Sequence, residues 1–367
     1  MVKSFLQRLI AALALGMLAL SNPALSSDCS SVYGSYQSCL SGSCSPYSSP
    51  AEFVAAYPQC FPGGSTASQA QVSASSFQQI GAVSSSVSSR LLGGGGPTQL
   101  TVAPVRGMAA GGKNAWNAWG SVAESDTRQS YTLGGLAKKH DVDVTNAVVG
   151  IDYAIAPGMV LGVSGAFDRG AGSSQPNAAA ARVASTIKGY AFAPYIGYQL
   201  SKEWVLDASL GFGSGKISSA GGMESEGDRL FYAGNLNYSR WVKDIQFSGK
   251  FGYLHGEEDF GLAKVNGVSQ ANTASKSKMD RWALGVQAGY WLGNGVQPYA
   301  GLNYLADRLS SSQGGANPIG KSAWQWAIGL NFFSLASGVT GGIAYTQEDG
   351  RSNQKNNALT GNIGIRF

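Results

Sequence analysis

The sequence predicts an all-β fold, a 12-stranded antiparallel transmembrane β-barrel preceded by one α-helix, and three observations carry that reading. Segments of about ten residues alternate between bulky apolar and small or polar residues, as barrel strands do. The connections between them alternate short and long without a break. Aromatic residues on the apolar face gather in two belts with an aliphatic band between them. Composition agrees: of 367 residues 51 are glycine and only 13% are charged, against about a quarter in ordinary globular chains. Hydrophobic content of 44% excludes disorder by low hydrophobicity. A helical membrane protein is excluded too, because the one long apolar run, Leu9 to Leu20, is too short to span a bilayer.

That run is the core of a signal peptide over 1–26. Lys3 and Arg8 precede it, and small residues around Ala24 and Ser26 offer cleavage sites. Asp28 before Cys29 argues against a lipoprotein signal. The net charge of +5 is spread along the chain with no basic block, so no nucleic-acid partner is expected.

Residues 27–66 form a short N-terminal segment that holds all four cysteines, Cys29, Cys39, Cys44 and Cys60. An even count in an exported chain points to two disulfides, with three connectivities open. Metal binding is the weaker alternative, since there is no C-x-x-C pair and no histidine here. Residues 67–105 read as a helix and a hinge. Ile80, Val83, Val87 and Leu91 make a narrow apolar stripe, Arg90 is the one charge, and Gly93–Gly96 with Pro97 end the helix. The serines Ser84, Ser85, Ser86 and Ser88 weaken its propensity, so it needs a partner. A helix this poor in charge suits an enclosed, polar, neutral tunnel.

Residues 106–367 carry the barrel. Trp204, Leu206, Ala208, Leu210 and Phe212 alternate with Val205, Asp207, Ser209 and Gly211. Trp282, Leu284, Val286 and Tyr290, then Trp324, Trp326, Ile328, Leu330 and Phe332, repeat the pattern. Twelve segments are expected, at 116–125, 144–155, 158–168, 185–199, 203–215, 228–241, 244–255, 279–291, 295–307, 321–333, 338–348 and 357–367. Tight turns are expected near 156–157, 200–202, 242–243, 292–294 and 334–337, and long loops near 126–143, 169–184, 216–227, 256–278, 308–320 and 349–356. Tyr153, Tyr198, Trp204, Tyr238, Tyr290 and Phe332 fall toward the short turns. Phe167, Phe212, Tyr232, Tyr253, Trp282, Tyr304, Trp324 and Tyr345 fall toward the long loops.

Signs of chemistry are sparse. His140 and His255 are the only histidines. His255 with Glu257, Glu258 and Asp259 offers oxygen donors for a cation, although a solvated loop is the favoured reading. Gly93–Gly96 lacks a following Lys-Ser/Thr and reads as a hinge rather than a phosphate cradle. No enzyme, no cofactor and no metal site are expected.

The stretches Trp116-Asn117-Ala118-Trp119-Gly120, Ala193-Pro194-Tyr195-Ile196-Gly197-Tyr198, Leu206-Asp207-Ala208-Ser209-Leu210-Gly211-Phe212 and the terminal Ile363, Ile365 and Phe367 resemble the translocator barrel of type V autotransporters. Gln297-Pro298-Tyr299 through Tyr304 repeats the pattern weakly. The resemblance covers about 106–367, and the preceding helix extends it to about 67. It implies an outer-membrane barrel of a Gram-negative bacterium whose pore is plugged by the helix, here through Ile80, Val83, Val87, Arg90 and Leu91. About 25 helical residues would reach roughly 37 Å, enough to cross the bilayer core. It also implies that Ile363, Ile365 and Phe367 form the signal read by the barrel-assembly machinery. The expected partners are therefore outer-membrane lipid, that machinery and periplasmic chaperones, with the barrel itself a monomer.

The implied function is to translocate or anchor a short N-terminal segment at the cell surface. The alternative is a plugged pore or a surface adhesin acting through its extracellular loops. The chain departs from the family in its passenger, which is only about 40 residues and rich in cysteine. It could be displayed outside, stay in the periplasm or cap the barrel.

Overall fold

The computed structural model describes residues 29–45, 47, 50, 53, 57, 79–84, 87, 91, 116–133, 136–175, 182–219, 222–293, 295–311, 319–334 and 338–367. The expected signal peptide at 1–26, Cys60, Arg90 and the hinge at Gly93–Gly96 lie outside these residues. Within them, residues 79–84, 87 and 91 are helical, and α1 (Cys29–Leu40) is a second helix in the cysteine segment.

Fourteen strands follow: β1 (Trp116–Leu133), β2 (Leu136–Ala156), β3 (Met159–Gln175), β4 (Val183–Gln199), β5 (Trp204–Ser219), β6 (Met223–Val242), β7 (Ile245–Phe260), β8 (Lys264–Val265), β9 (Val268–Ser269), β10 (Ser275–Tyr290), β11 (Val296–Ser311), β12 (Ser322–Ser334), β13 (Val339–Asp349) and β14 (Gln354–Arg366). Twelve of them form a closed antiparallel ring, while β8 and β9 are a small hairpin attached to β6. The ring closes where β1 pairs with β14, from Asn117 opposite Arg366 to Gln129 opposite Gln354. Trp116 and Phe367 exchange backbone hydrogen bonds at 3.1 Å in each direction, which zips the seam to the last residue. Closure leaves the twelve-stranded ring without an edge strand, a requirement inside a membrane where an unpaired backbone group has no water to bond.

Alternation sets the two faces. On β5, Trp204, Leu206, Leu210 and Phe212 are exposed on the outside while Val205, Asp207, Ser209 and Gly211 are buried inside. The outer aromatics pair across strands in both belts. Trp116 with Tyr153 and Trp204 with Tyr238 have centroids 4.9 and 4.8 Å apart at the turn end. Tyr253 with Trp282 and Tyr304 with Trp324 lie 4.5 and 5.1 Å apart toward the loops. Such a wall suits lipid on the outside and water on the inside.

One expectation needs correction. Several of the long connections are largely strand. β1 and β2 stay paired up to Leu133 opposite Leu136, so most of 126–143 is a tall hairpin, and most of 216–227 and half of 349–356 is likewise strand. The physical reason is that a crossing needs about 9–11 residues, whereas β2 has 21 and β6 has 20. Above the membrane the outward positions become polar, such as Asp126 and Arg128 on β1 and Asp141 and Asp143 on β2. Apolar alternation disappears there although the backbone ladder continues.

Candidate functional site: the filled lumen and its cover

The lumen is filled from one side. Val83, Val87 and Leu91 of the helix cluster with inward residues Trp119, Val148, Val160, Ala166, Tyr195 and Val205. Ile80 joins Ala191, Ala193, Phe231, Ala233, Leu254 and Met279. Gly197 makes this seat: a Cβ there would overlap Val87 and press on Val160 and Leu91. Polar contacts fix the register. Ser84 donates to Asp207 Oδ2 at 2.9 Å, and Asp207 also accepts from Asn235 at 2.8 Å and Asn237 at 2.7 Å. Gln79 donates to Ser164 at 3.2 Å. A buried carboxylate with three donors is a satisfied group, and it ties the helix to the wall.

The helix has a direction. Phe231, Leu254 and Met279 lie in the loop-side halves of their strands, so Ile80 marks the loop end. Val160, Gly197 and Val205 adjoin short turns, so Leu91 marks the turn end, where β1 also begins. Beside the helix a cavity of about 410 Å³ remains, lined by polar residues such as Asn117, Ser121, Thr346, Asn356 and Thr360.

The wall is braced by inward ion pairs. Arg229 meets Asp168 at 2.7 Å and Glu258 at 3.3 Å. Arg281 and Arg351 share Asp307 at 2.5 and 2.8 Å, and Arg351 reaches Glu348 at 3.2 Å. Trp119 donates to the Tyr195 hydroxyl at 2.8 Å, which donates to Asp152 at 3.1 Å.

At the loop end the cysteine segment covers the mouth. Val32, Tyr33, Tyr36 and Cys39 of α1 join Tyr47 and Phe53 in a buried cluster that closes on Met223, Ala263 and Val265 of the barrel. Phe53 sits 5.3 Å from Tyr47 and 5.0 Å from Tyr57 by ring centroid. Gln37 donates to the Ala271 carbonyl at 3.2 Å, and Lys138 Nζ stands 5.8 Å from the Tyr47 ring. Cys39 and Cys44 form a disulfide; the Cys29 side chain and Cys60 are outside the described residues. The barrel supplies the platform through the β8–β9 hairpin, whose turn residues Asn266 and Gly267 both have positive φ, as a tight hairpin requires. The sequence reading placed only a loop there, although Asn-Gly between valines was the legible signal.

His140 lies beneath this cover, 1% exposed, with Nε2 2.9 Å from the Tyr131 hydroxyl. Its Nδ1 has no hydrogen-bond partner among the described residues. Burial, then the neighbouring Lys138, pushes its pKa down to about 4, while burial alone lowers Lys138 to about 8. Because His140 is neutral when folded and protonates near 6.5 when unfolded, the unfolded state takes up the proton first. Stability is therefore full above pH 6.5 and is lost as pH falls toward 4, by about 3 kcal/mol for a shift of this size. Hydrogen exchange at the loop end should accelerate over that range, and His140→Gln should flatten the dependence. An unchanged pH profile in the variant would refute the assignment.

The donors suggested around His255 do not converge. His255 faces outward, bonded to Asp280 at 2.8 Å and stacked on Tyr232, and Glu257 pairs with Lys278 at 3.1 Å. Glu258 points inward to Arg229. The residues belong to β7, so alternation splits them across the wall. Among the described residues no group of three potential ligands could hold a metal ion.

Twelve strands closed on themselves, lipid-facing outside and plugged by an N-terminal helix inside, define an outer-membrane β-barrel of the self-plugged kind. Residues 118–254 match the family model of the autotransporter β-domain. The structure is similar to the translocator domain of the autotransporter NalP from Neisseria meningitidis, with 12% identity, TM-score 0.52, and coverage of 69% of this chain and 88% of that one. It is also similar to the β-domain of the Bordetella autotransporter BrkA, with 15% identity, TM-score 0.51, and coverage of 69% and 100%. No curated protein sequence matches the chain. Residues 118–254 thus resemble an autotransporter β-domain, and the whole ring shares the fold of autotransporter translocator barrels.

Proposed function

We propose that this barrel anchors its own N-terminal segment at the cell surface and keeps it there as a cover over the pore. The observation that carries the reading is the run of the helix. The cysteine segment lies at the loop end with Ile80, and Leu91 lies at the turn end where the barrel starts. A chain that crosses its own pore in this sense is tethered outside with its β-domain in the membrane. The domain limits 27–66, 67–105 and 106–367 follow from the same division of labour. Residues 27–66 are then a retained mini-passenger rather than a released one, held by the contacts to Met223, Ala263 and Val265.

Binding to the barrel-assembly machinery through Ile363, Ile365 and Phe367 belongs to this reading, as does passage with periplasmic chaperones. A structural rather than catalytic part is supported by the histidines, one sealed beneath the cover against Tyr131 and the other tied to Asp280 on the outer face.

An epitope inserted between Gly63 and Gly64 should be reached by antibody on intact cells. Access only after the outer membrane is permeabilised would place the segment in the periplasm. That result would overturn display and leave the loops as the working surface.

A further inference from the structure

The lumen keeps polar wall that the helix does not use. Val83, Val87 and Leu91 pack toward β1–β5. The cavity of about 410 Å³ beside them runs along the opposite wall, from Thr340 and Gly364 near the turn end to Glu348 and Asn356 near the loop end. A volume of this size falls within the range of small-molecule sites, about 300–1,000 Å³. Several of the polar groups that line it are already bonded. Arg281 and Glu348 belong to the set completed by Arg351 and Asp307, in which two positive charges meet two negative ones. The other Glu348 oxygen accepts from Asn356 at 3.2 Å, and Gln325 accepts from Asn303 at 3.2 Å.

Two lining groups differ, and both are donors. Asn331 is 4% exposed, and its Nδ2 has no hydrogen-bond partner among the described residues. Its Oδ1 rests over Gly342, where a Cβ would stand 2.6 Å away, so the N–H groups are left for the cavity. Lys250 of β7 is half-buried against the same cavity and makes no hydrogen bond or ion pair among the described residues. Asp207 acts on it through space, but the oxygens of Asp207 already accept from Ser84, Asn235 and Asn237. The three N–H donors of the ammonium therefore face the cavity. Gly252, two residues along on the same face, keeps room there, since a Cβ would overlap Asn235 and stand 3.7 Å from Lys250 Cε.

A buried N–H and an enclosed ammonium each cost free energy unless an acceptor reaches them. We infer that this cavity binds a small hydroxy carboxylate, with its carboxylate on Lys250 and a further oxygen on Asn331. Thr346 and Thr360 line the cavity with hydroxyls that both donate and accept, which suit the hydroxyls of such a ligand better than an apolar body. The charge-assisted contact at Lys250 is the stronger of the two and sets the preference for an acid over the matching neutral sugar. The site belongs to the barrel wall and holds whichever side of the membrane the N-terminal segment occupies.

The test is isothermal titration calorimetry of the purified full chain in a nonionic detergent at pH 7, with gluconate as the probe and glucose and chloride as comparisons. We expect gluconate to bind, and glucose to bind at least tenfold more weakly. Lys250→Gln should weaken gluconate binding about tenfold, Lys250→Arg should restore most of it, and Asn331→Ala should lower it about threefold. Heat-modifiable migration in gels verifies that each variant is folded, and the comparison of gluconate with glucose needs no variant. No heat from gluconate, or equal affinity of Lys250→Gln and the parent, would overturn the site. Glucose binding as tightly as gluconate would overturn the choice of an acid. Chloride displacing gluconate at equal concentration would overturn the choice of a carboxylate.

Discussion

Val87→Asp should turn a quiet barrel into a conducting one. Val87 is fully buried, with Leu91 and Val160 around the recess that Gly197 leaves in the wall. Removing its burial costs about 2 kcal/mol, and a carboxylate facing that apolar wall without a partner costs several more. A total near 4 kcal/mol shifts the ratio of seated to unseated helix by about a thousandfold. Among the described residues Val83, Leu91 and the Ser84 bond to Asp207 still hold the helix here, and the unpaired carboxylate is set against them. In planar bilayers the parent should show little current through the space beside the helix, and Val87→Asp should show sustained open events. Gly197→Leu attacks the same seat from the barrel side and should give the same phenotype, with Val87→Ala intermediate. Superimposable current traces for parent and Val87→Asp would mean that the helix does not gate the lumen.

The seat itself was only half legible in the sequence. Ile80, Val83, Val87 and Leu91 announce a narrow apolar stripe because helix geometry repeats it, and the poverty of charge says the remainder is enclosed. Gly197 could not be singled out, since its value lies in a contact more than a hundred residues away in sequence. The barrel wall was legible for the opposite reason. Lipid demands large apolar residues at every second position, so the membrane imposes on Trp204 to Phe212 a pattern that survives without any knowledge of the neighbours. Where the wall leaves the membrane this demand ends. Asp126, Arg128, Asp141 and Asp143 are ordinary polar strand residues, so nothing in their pattern marks the continuing hairpin.

The cover was hidden from sequence reasoning for a further reason. Tyr36, Tyr47 and Phe53 look like isolated aromatics among serines, and they form a core only when Met223, Ala263 and Val265 complete it. A segment of this length has too little apolar surface to fold alone. Its structure is borrowed from the barrel through these contacts. The same dependence fits the disulfide at Cys39–Cys44, which closes the end of α1 rather than bridging it to the barrel.

Phe367→Ser should separate the finished barrel from its assembly. In the structure Phe367 is 57% exposed on the outer face, and its part in the seam is made by backbone atoms that serine keeps. Loss of the ring therefore removes only a partial lipid contact, about 1 kcal/mol, and refolded protein in vesicles should unfold at nearly the parent's denaturant midpoint. A change of that size accounts for at most a severalfold drop in cellular abundance. During assembly the demand is different. Before β1 and β14 pair, the last strand is an open edge, and Ile363, Ile365 and Phe367 form its one apolar face for a partner that recognises strands by edge pairing and side-chain pockets. The amount of folded protein in outer-membrane fractions should then fall by about tenfold, beyond what stability explains. Parallel small losses in vesicles and in cells would reduce Phe367 to an ordinary lipid-facing residue, and with it the signal assigned to the C-terminal strand.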